Sequence, residues 1–110
     1  MYETNEEDWN LFRKLLPEWQ EAYMERLIKE YIELLSSDKL ASDKFWTLDK
    51  RIKEDKKHTG VLARDVTRSH MFYLIVSLMN EGAITKTDLS DFSKDLQGNI
   101  EIWFKIDRIY

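Results

Sequence analysis

Carboxylates are plentiful in this 110-residue chain, but there are only two histidines and no spacing is promising for catalysis. There is no cysteine, which removes disulfides, thiolate metal sites and a thiol nucleophile. Neither histidine, His58 nor His70, has a second histidine or a carboxylate three or four residues further on, the spacing at which a helix forms a metal pair. His58 reads as a dipole partner at the end of its helix and His70 as an ordinary helix residue. Asp88-Leu89-Ser90-Asp91 opens like a calcium loop. However, Ser93 stands where that loop needs glycine and Asn99 where it needs a bidentate glutamate. Ser69 and His70 are adjacent in sequence, which does not put them on one helix face. No glycine-rich phosphate loop and no G-x-S-x-G elbow occurs. The expectation is a protein that is not an enzyme and that takes no cofactor or metal.

Two surfaces offer binding instead. Trp46, Lys50, Lys53 and Lys57 follow one another at i, i+4, i+7 and i+11, within ~60° of each other on a helix. They make one flank of an aromatic ring and three ammonium groups, which Arg64 and Arg68 would extend. Such a flank suits phosphate, nucleic acid or an acidic partner. Asp49, Glu54 and Asp55 dilute its field. The second surface lies on the helix after Pro17. Trp19, Tyr23, Met24, Leu27, Ile28, Tyr31, Ile32, Leu34 and Leu35 cover more than half of its circumference, wider than the stripe of an ordinary surface helix. Trp19, Met24, Ile28, Ile32 and Leu35 are the candidate association surface, for a second copy or another protein.

The elements that position these surfaces are all expected to be helices. Thr4-Asn5-Glu6-Glu7 offers a capping box with Thr4 at the N-cap, opening a helix over 5–15 that breaks before Pro17. A second helix over 17–37 has Pro17 in its first turn. A third, over 43–57, is capped by Ser42, buries Phe45, Leu48 and Ile52, and ends at Gly60 in a left-handed conformation. Residues 61–66 fit either a first helical turn or an extended lead-in. The most apolar stretch, Met71–Met79, lies in a helix running to Glu81 and stopped by Gly82. Its Leu74, Ile75, Leu78 and Met79 are expected to meet Tyr23, Leu27, Tyr31 and Leu34. Thr85 caps a fifth helix with Asp88 in the capping-box position, and Ser93 can start a further turn. In the tail, Ile100, Ile102, Phe104 and Ile106 alternate like a strand, while Leu96, Ile100, Trp103 and Phe104 fit a helix. A lone strand would leave its backbone groups without partners, so helix is the expectation and an extended segment the alternative.

Three stretches carry a resemblance: Leu16-Pro-Glu-Trp-Gln-Glu-Ala-Tyr-Met-Glu-Arg-Leu, Ala41-Ser-Asp-Lys-Phe-Trp-Thr-Leu-Asp-Lys-Arg-Ile-Lys-Glu-Asp and Gly82-Ala-Ile-Thr-Lys-Thr-Asp-Leu-Ser-Asp-Phe-Ser. With them the chain resembles a group of small, uncharacterised bacterial proteins sometimes labelled multidrug transporters. The resemblance implies a compact cytoplasmic helical protein and brings no catalytic or binding residue with it. The transporter label conflicts with the sequence, whose longest apolar run falls well short of the ~20 residues needed to span a bilayer.

Composition fits that picture. A share of 43% apolar and 35% charged residues, with only three glycines and one proline, suits a charge-rich helical domain rather than a many-stranded one. The acidic start, Glu3 to Asp8, is unlike a secretory leader, and a cytoplasmic location is expected. The net charge of −4 is uneven, with residues 43–68 carrying eight basic against five acidic groups and both flanking regions acidic. The chain as a whole does not attract a polyanion, although its middle third could do so locally. The expected fold is all-α, one domain over 1–110, a bundle of five or six helices. The expected function is a non-enzymatic protein–protein interaction module or small adaptor, in homodimeric form or with another protein and without membrane contact. The alternative is a nucleic-acid-binding or regulatory module using residues 46–68.

Overall fold

The computed structural model describes the backbone of residues 2–109 and the side chains of residues 2–105. Met1, Tyr110 and the side chain of Ile106 lie outside the described residues. The described residues form four α-helices: α1 (Glu6–Leu35), α2 (Ala41–Asp55), α3 (Met71–Asn80) and α4 (Lys94–Ile109). Short 3₁₀ turns at Arg68–His70 and Lys86–Leu89 lead into α3 and towards α4. The all-helical class agrees with the sequence. The number of helices does not, because one expected break is missing and the helix expected after Thr85 is only a 3₁₀ turn.

That break is at Pro17, which lies inside a single 30-residue helix. Proline removes the backbone donor to Arg13 and crowds its carbonyl, at a cost of ~3 kcal/mol. The chain remains helical because Phe12, Leu16 and Trp19, on either side of the proline, are all buried in one core. Burying each such side chain contributes roughly 1.5–3 kcal/mol, and together they outweigh the defect. The start of α1 also differs from expectation. Asn5, not Thr4, is the N-cap, and its side chain accepts from the Asp8 amide at 2.7 Å. Thr4 instead donates to the Arg68 carbonyl at 3.0 Å.

One apolar cluster joins the N-terminal half of α1 to α3 and α4. Phe12, Leu16 and Trp19 meet Met71, Ile75, Val76 and Leu78, and Ile84, Leu89, Phe92, Leu96 and Ile100 close the cluster from below. The Met71–Met79 stretch is therefore central, but its partner is the first half of α1. Tyr23 and Leu27 lie buried outside the cluster, while Tyr31 and Leu34 are half-buried towards α2. The stop after α3 is a Schellman turn. The Gly82 amide bonds to Met79 O at 3.1 Å and the Ala83 amide to Leu78 O at 2.8 Å, with Gly82 at φ +77°. Thr85 and Asp88 form the expected capping box, although the element that follows is only the 3₁₀ turn. Ser93 opens α4, accepting from the Leu96 amide at 3.2 Å. The tail is helical through its described residues, which settles the choice between helix and strand.

A buried carboxylate ties the two ends of this core together. Asp8 is 3% exposed. It accepts from the Tyr2 hydroxyl at 2.7 Å, the Ser93 hydroxyl at 2.6 Å, the Ser93 amide at 2.9 Å and the Asn5 side chain at 3.2 Å. These four donors occupy both of its oxygens and lock the N-terminus onto the start of α4. Burial, and then the bond to Asp8, push the Tyr2 hydroxyl well above the usual phenol range.

Candidate association surface

Beyond Trp19 the long α1 leaves the core and continues as one arm of a helical hairpin, with α2 returning beside it after Ser36–Leu40. The root of the hairpin is polar. Tyr23 Oη and His58 Nδ1 are 2.7 Å apart, the Gln20 side chain donates to Thr59 O at 3.0 Å, and Arg26 donates to Gly82 O at 2.5 Å. The Glu81 carboxylate accepts the Thr59 and Gly60 amides at 2.7 and 3.0 Å. Gly60 does not adopt the left-handed conformation expected of a helix stop, and α2 already ends at Asp55. Glycine is needed there for space: a Cβ would lie 2.3 Å from the Tyr23 ring.

Further along the arm, polar groups again make the contact. Tyr31 donates to Asp55 Oδ2 at 2.5 Å. Arg51 pairs with Glu30 at 3.1 Å and Asp55 at 3.7 Å, and its guanidinium lies 5.5 Å over the Tyr31 ring. Burial first, then the hydrogen bond to Asp55, pushes the Tyr31 hydroxyl up to about 12. Burial and the nearby Glu81 raise that of Tyr23.

The packing of α2 is thus the reverse of an ordinary amphipathic helix. Its one buried residue is the carboxylate Asp55. Phe45 and Ile52, expected in the core, are 63% and 38% exposed, and Leu48 alone of that stripe is half-buried. The N-cap is Leu40, with no side-chain bond, rather than Ser42. On α1, Ile28, Ile32 and Leu35 are 53%, 56% and 46% exposed. They recur with Met24 at i, i+4, i+8 and i+11, along one side of the helix. The two stripes share a flank. Met24, Leu27, Ile28, Tyr31, Ile52 and Val61 line a groove of about 230 Å³ between the arms, and Phe45 lies two turns from Ile52 on the same face of α2.

Four of the five expected association residues therefore lie together on this flank. Trp19 does not: it is 9% exposed and packs 6.1 Å from both Phe12 and Phe92. Phe45 and Ile52 join the surface although their spacing reads as core. Only the sparseness of apolar residues on α2 hinted that this helix buries little.

The basic residues are more scattered. Lys53 pairs with Asp49 at 2.9 Å within α2, and Lys57, just past its end, with Glu54 at 3.5 Å. Trp46 meets Phe45 edge to face at 5.0 Å and is 65% exposed. Lys50 is exposed on α2. Arg64 shares a cleft with Lys56 and Lys57 beyond the end of α2. Arg68 is elsewhere, bound to Glu6 at 2.6 Å and to Thr4 O at 3.1 and 3.2 Å beside the N-terminus. The structure thus does not bring these six residues onto one face.

Among the described residues, no group of three or more His, Asp or Glu is placed to hold a metal ion. No described helix is long and apolar enough to cross a membrane. No protein-family model, no curated protein and no solved structure matches the chain.

Proposed function

We propose that the protein is a non-enzymatic interaction module that associates with a second copy of itself through the Met24–Ile28–Ile32–Leu35 and Phe45–Ile52 flank of the hairpin. The observation that carries this is the packing of α2, with a carboxylate buried while Phe45, Trp46 and Ile52 are exposed. The apolar side chains of the flank expose on the order of 500 Å², and bordering residues bring this towards the ~800 Å² per partner of a standard interface.

A second copy suits the flank because the rim carries both signs. Glu25 and Lys29 border the stripe on α1, and Lys56, just past the end of α2, lines the groove. A twofold axis sets such a rim against itself with opposite charges available to pair. Two hairpins joined by their apolar flanks make a four-helix bundle, which gives α2 the buried side it lacks within one chain. The nucleic-acid alternative gains no comparable support, since Lys53, Lys57 and Arg68 already meet carboxylates and the chain is net acidic.

The variant Ile28→Asp tests this reading. It places a charge in the centre of the flank and touches no part of the α1–α3–α4 core. Light scattering after size exclusion should show the dimer of the unmodified protein replaced by monomer, with the helical circular dichroism retained. A dimer that survives the substitution would show that the contact lies elsewhere.

A further inference from the structure

At the opposite end of the molecule, Phe72 and Tyr73 at the start of α3 and Trp103 on α4 form a group of rings independent of the hairpin. Their planes are mutually near-perpendicular: 86° between Phe72 and Tyr73, 74° between Phe72 and Trp103, and 86° between Tyr73 and Trp103. The three centroid separations are 6.3, 6.0 and 6.0 Å. All three rings line one cavity of about 240 Å³ together with Tyr2, which stacks on Phe72 at 5.8 Å. Ile102, Thr4, Ser69 and Asn99 complete the lining, which contains no charged side chain.

We propose that the three rings turn their faces to this cavity and bind a small quaternary ammonium cation of about choline size. Three mutually perpendicular rings at these separations have room for one point about 4 Å in front of each face, well inside the ~6 Å reach of a cation–π contact. The ring quadrupoles make that corner electronegative without a carboxylate. A primary ammonium group is a compact, strongly hydrated charge and would lose much of that hydration at a largely aromatic wall. A quaternary ammonium has no donor to satisfy and is only weakly hydrated, so the same wall suits it. The cavity is below the ~300–1,000 Å³ of drug-sized sites, which limits the ligand to a headgroup. Arg68, the nearest cation in the adjoining depression, is held by Glu6 and Thr4 and does not oppose a positive ligand there.

Nuclear magnetic resonance titration separates charge recognition from simple apolar filling. The probes are choline and its uncharged isostere 3,3-dimethylbutan-1-ol, added at constant ionic strength while the Trp103 indole N–H is followed. Choline should saturate with a Kd near or below about 1 mM, and the isostere should bind at least about tenfold more weakly. Tyr73→Leu, at a side chain already 54% exposed, should weaken choline about tenfold while the circular dichroism is unchanged. Trp103→Leu should abolish binding. Equal binding of choline and the isostere would make the cavity merely apolar and overturn the proposal. Choline binding that is undiminished in a folded Tyr73→Leu protein, or absent from the unmodified protein, would do so as well.

Discussion

Tyr31 and Asp55 show why the hairpin holds together with its apolar residues outside. The short bond between them, with Arg51 over the ring and Glu30 behind it, replaces an apolar seam. This has a consequence at high pH. Tyr31 titrates at about 12 in the folded protein against an ordinary value of 10.0, so folding favours its neutral form. Its stabilising contribution is complete below pH 10 and is lost as the pH rises from 10 towards 12. Denaturation by urea along that pH range should therefore show a steeper loss of stability in the unmodified protein than in Tyr31→Phe. The residual slope of the variant comes from Tyr2 and Tyr23, whose hydroxyls are raised too. Identical slopes would mean that Tyr31 does not hold the hairpin as described. None of these polar pairings shows in the sequence, since Tyr31 and Asp55 are 24 residues apart and each reads as an ordinary member of its own helix.

Among the elements, α1 is decisive, because its continuity through Pro17 projects the hairpin beyond the core. Pro17 is exposed, and its ring contributes no buried contact to offset the missing hydrogen bond. Pro17→Ala restores the donor to Arg13 and should raise stability by about 2 kcal/mol, a gain of several degrees in melting temperature. An unchanged or lower melting temperature would show that the helix is not continuous there. Local signals in the sequence were reliable where one residue sets one feature: Gly82 stops α3, Thr85 and Asp88 form their box, and Ser93 opens α4. They misled where distant packing overrides a local preference. Pro17 reads as a break but is bridged by Phe12, Leu16 and Trp19 on one face. Phe45 and Ile52 read as core because periodicity reports that residues share a face, not whether a partner covers it. The exposed apolar stripe of α1 was legible for the same reason, since an apolar arc too wide for one partner is itself a sequence feature. Trp19 belonged to that arc by angle, yet it sits at the end of α1 that α4 and Phe92 cover.

On the scale of the whole molecule, the hairpin makes the chain elongated. The radius of gyration is 16.6 Å and the extents are 51 × 33 × 23 Å. A compact chain of this length would have a radius of gyration of about 13 Å. The α1–α3–α4 core buries its apolar residues within one chain, whereas the arm leaves Ile28, Ile32, Leu35, Phe45 and Ile52 in water. Exposed apolar stripes on two neighbouring helices are unusual for a monomer and common at an interface that closes by symmetry. Sedimentation equilibrium of the unmodified protein over a wide range of loading concentrations tests this most directly. A reversible shift from the 13.3 kDa chain to twice that mass is predicted, with dissociation in about the micromolar range. A mass that stays at 13.3 kDa at every concentration would contradict self-association through the hairpin.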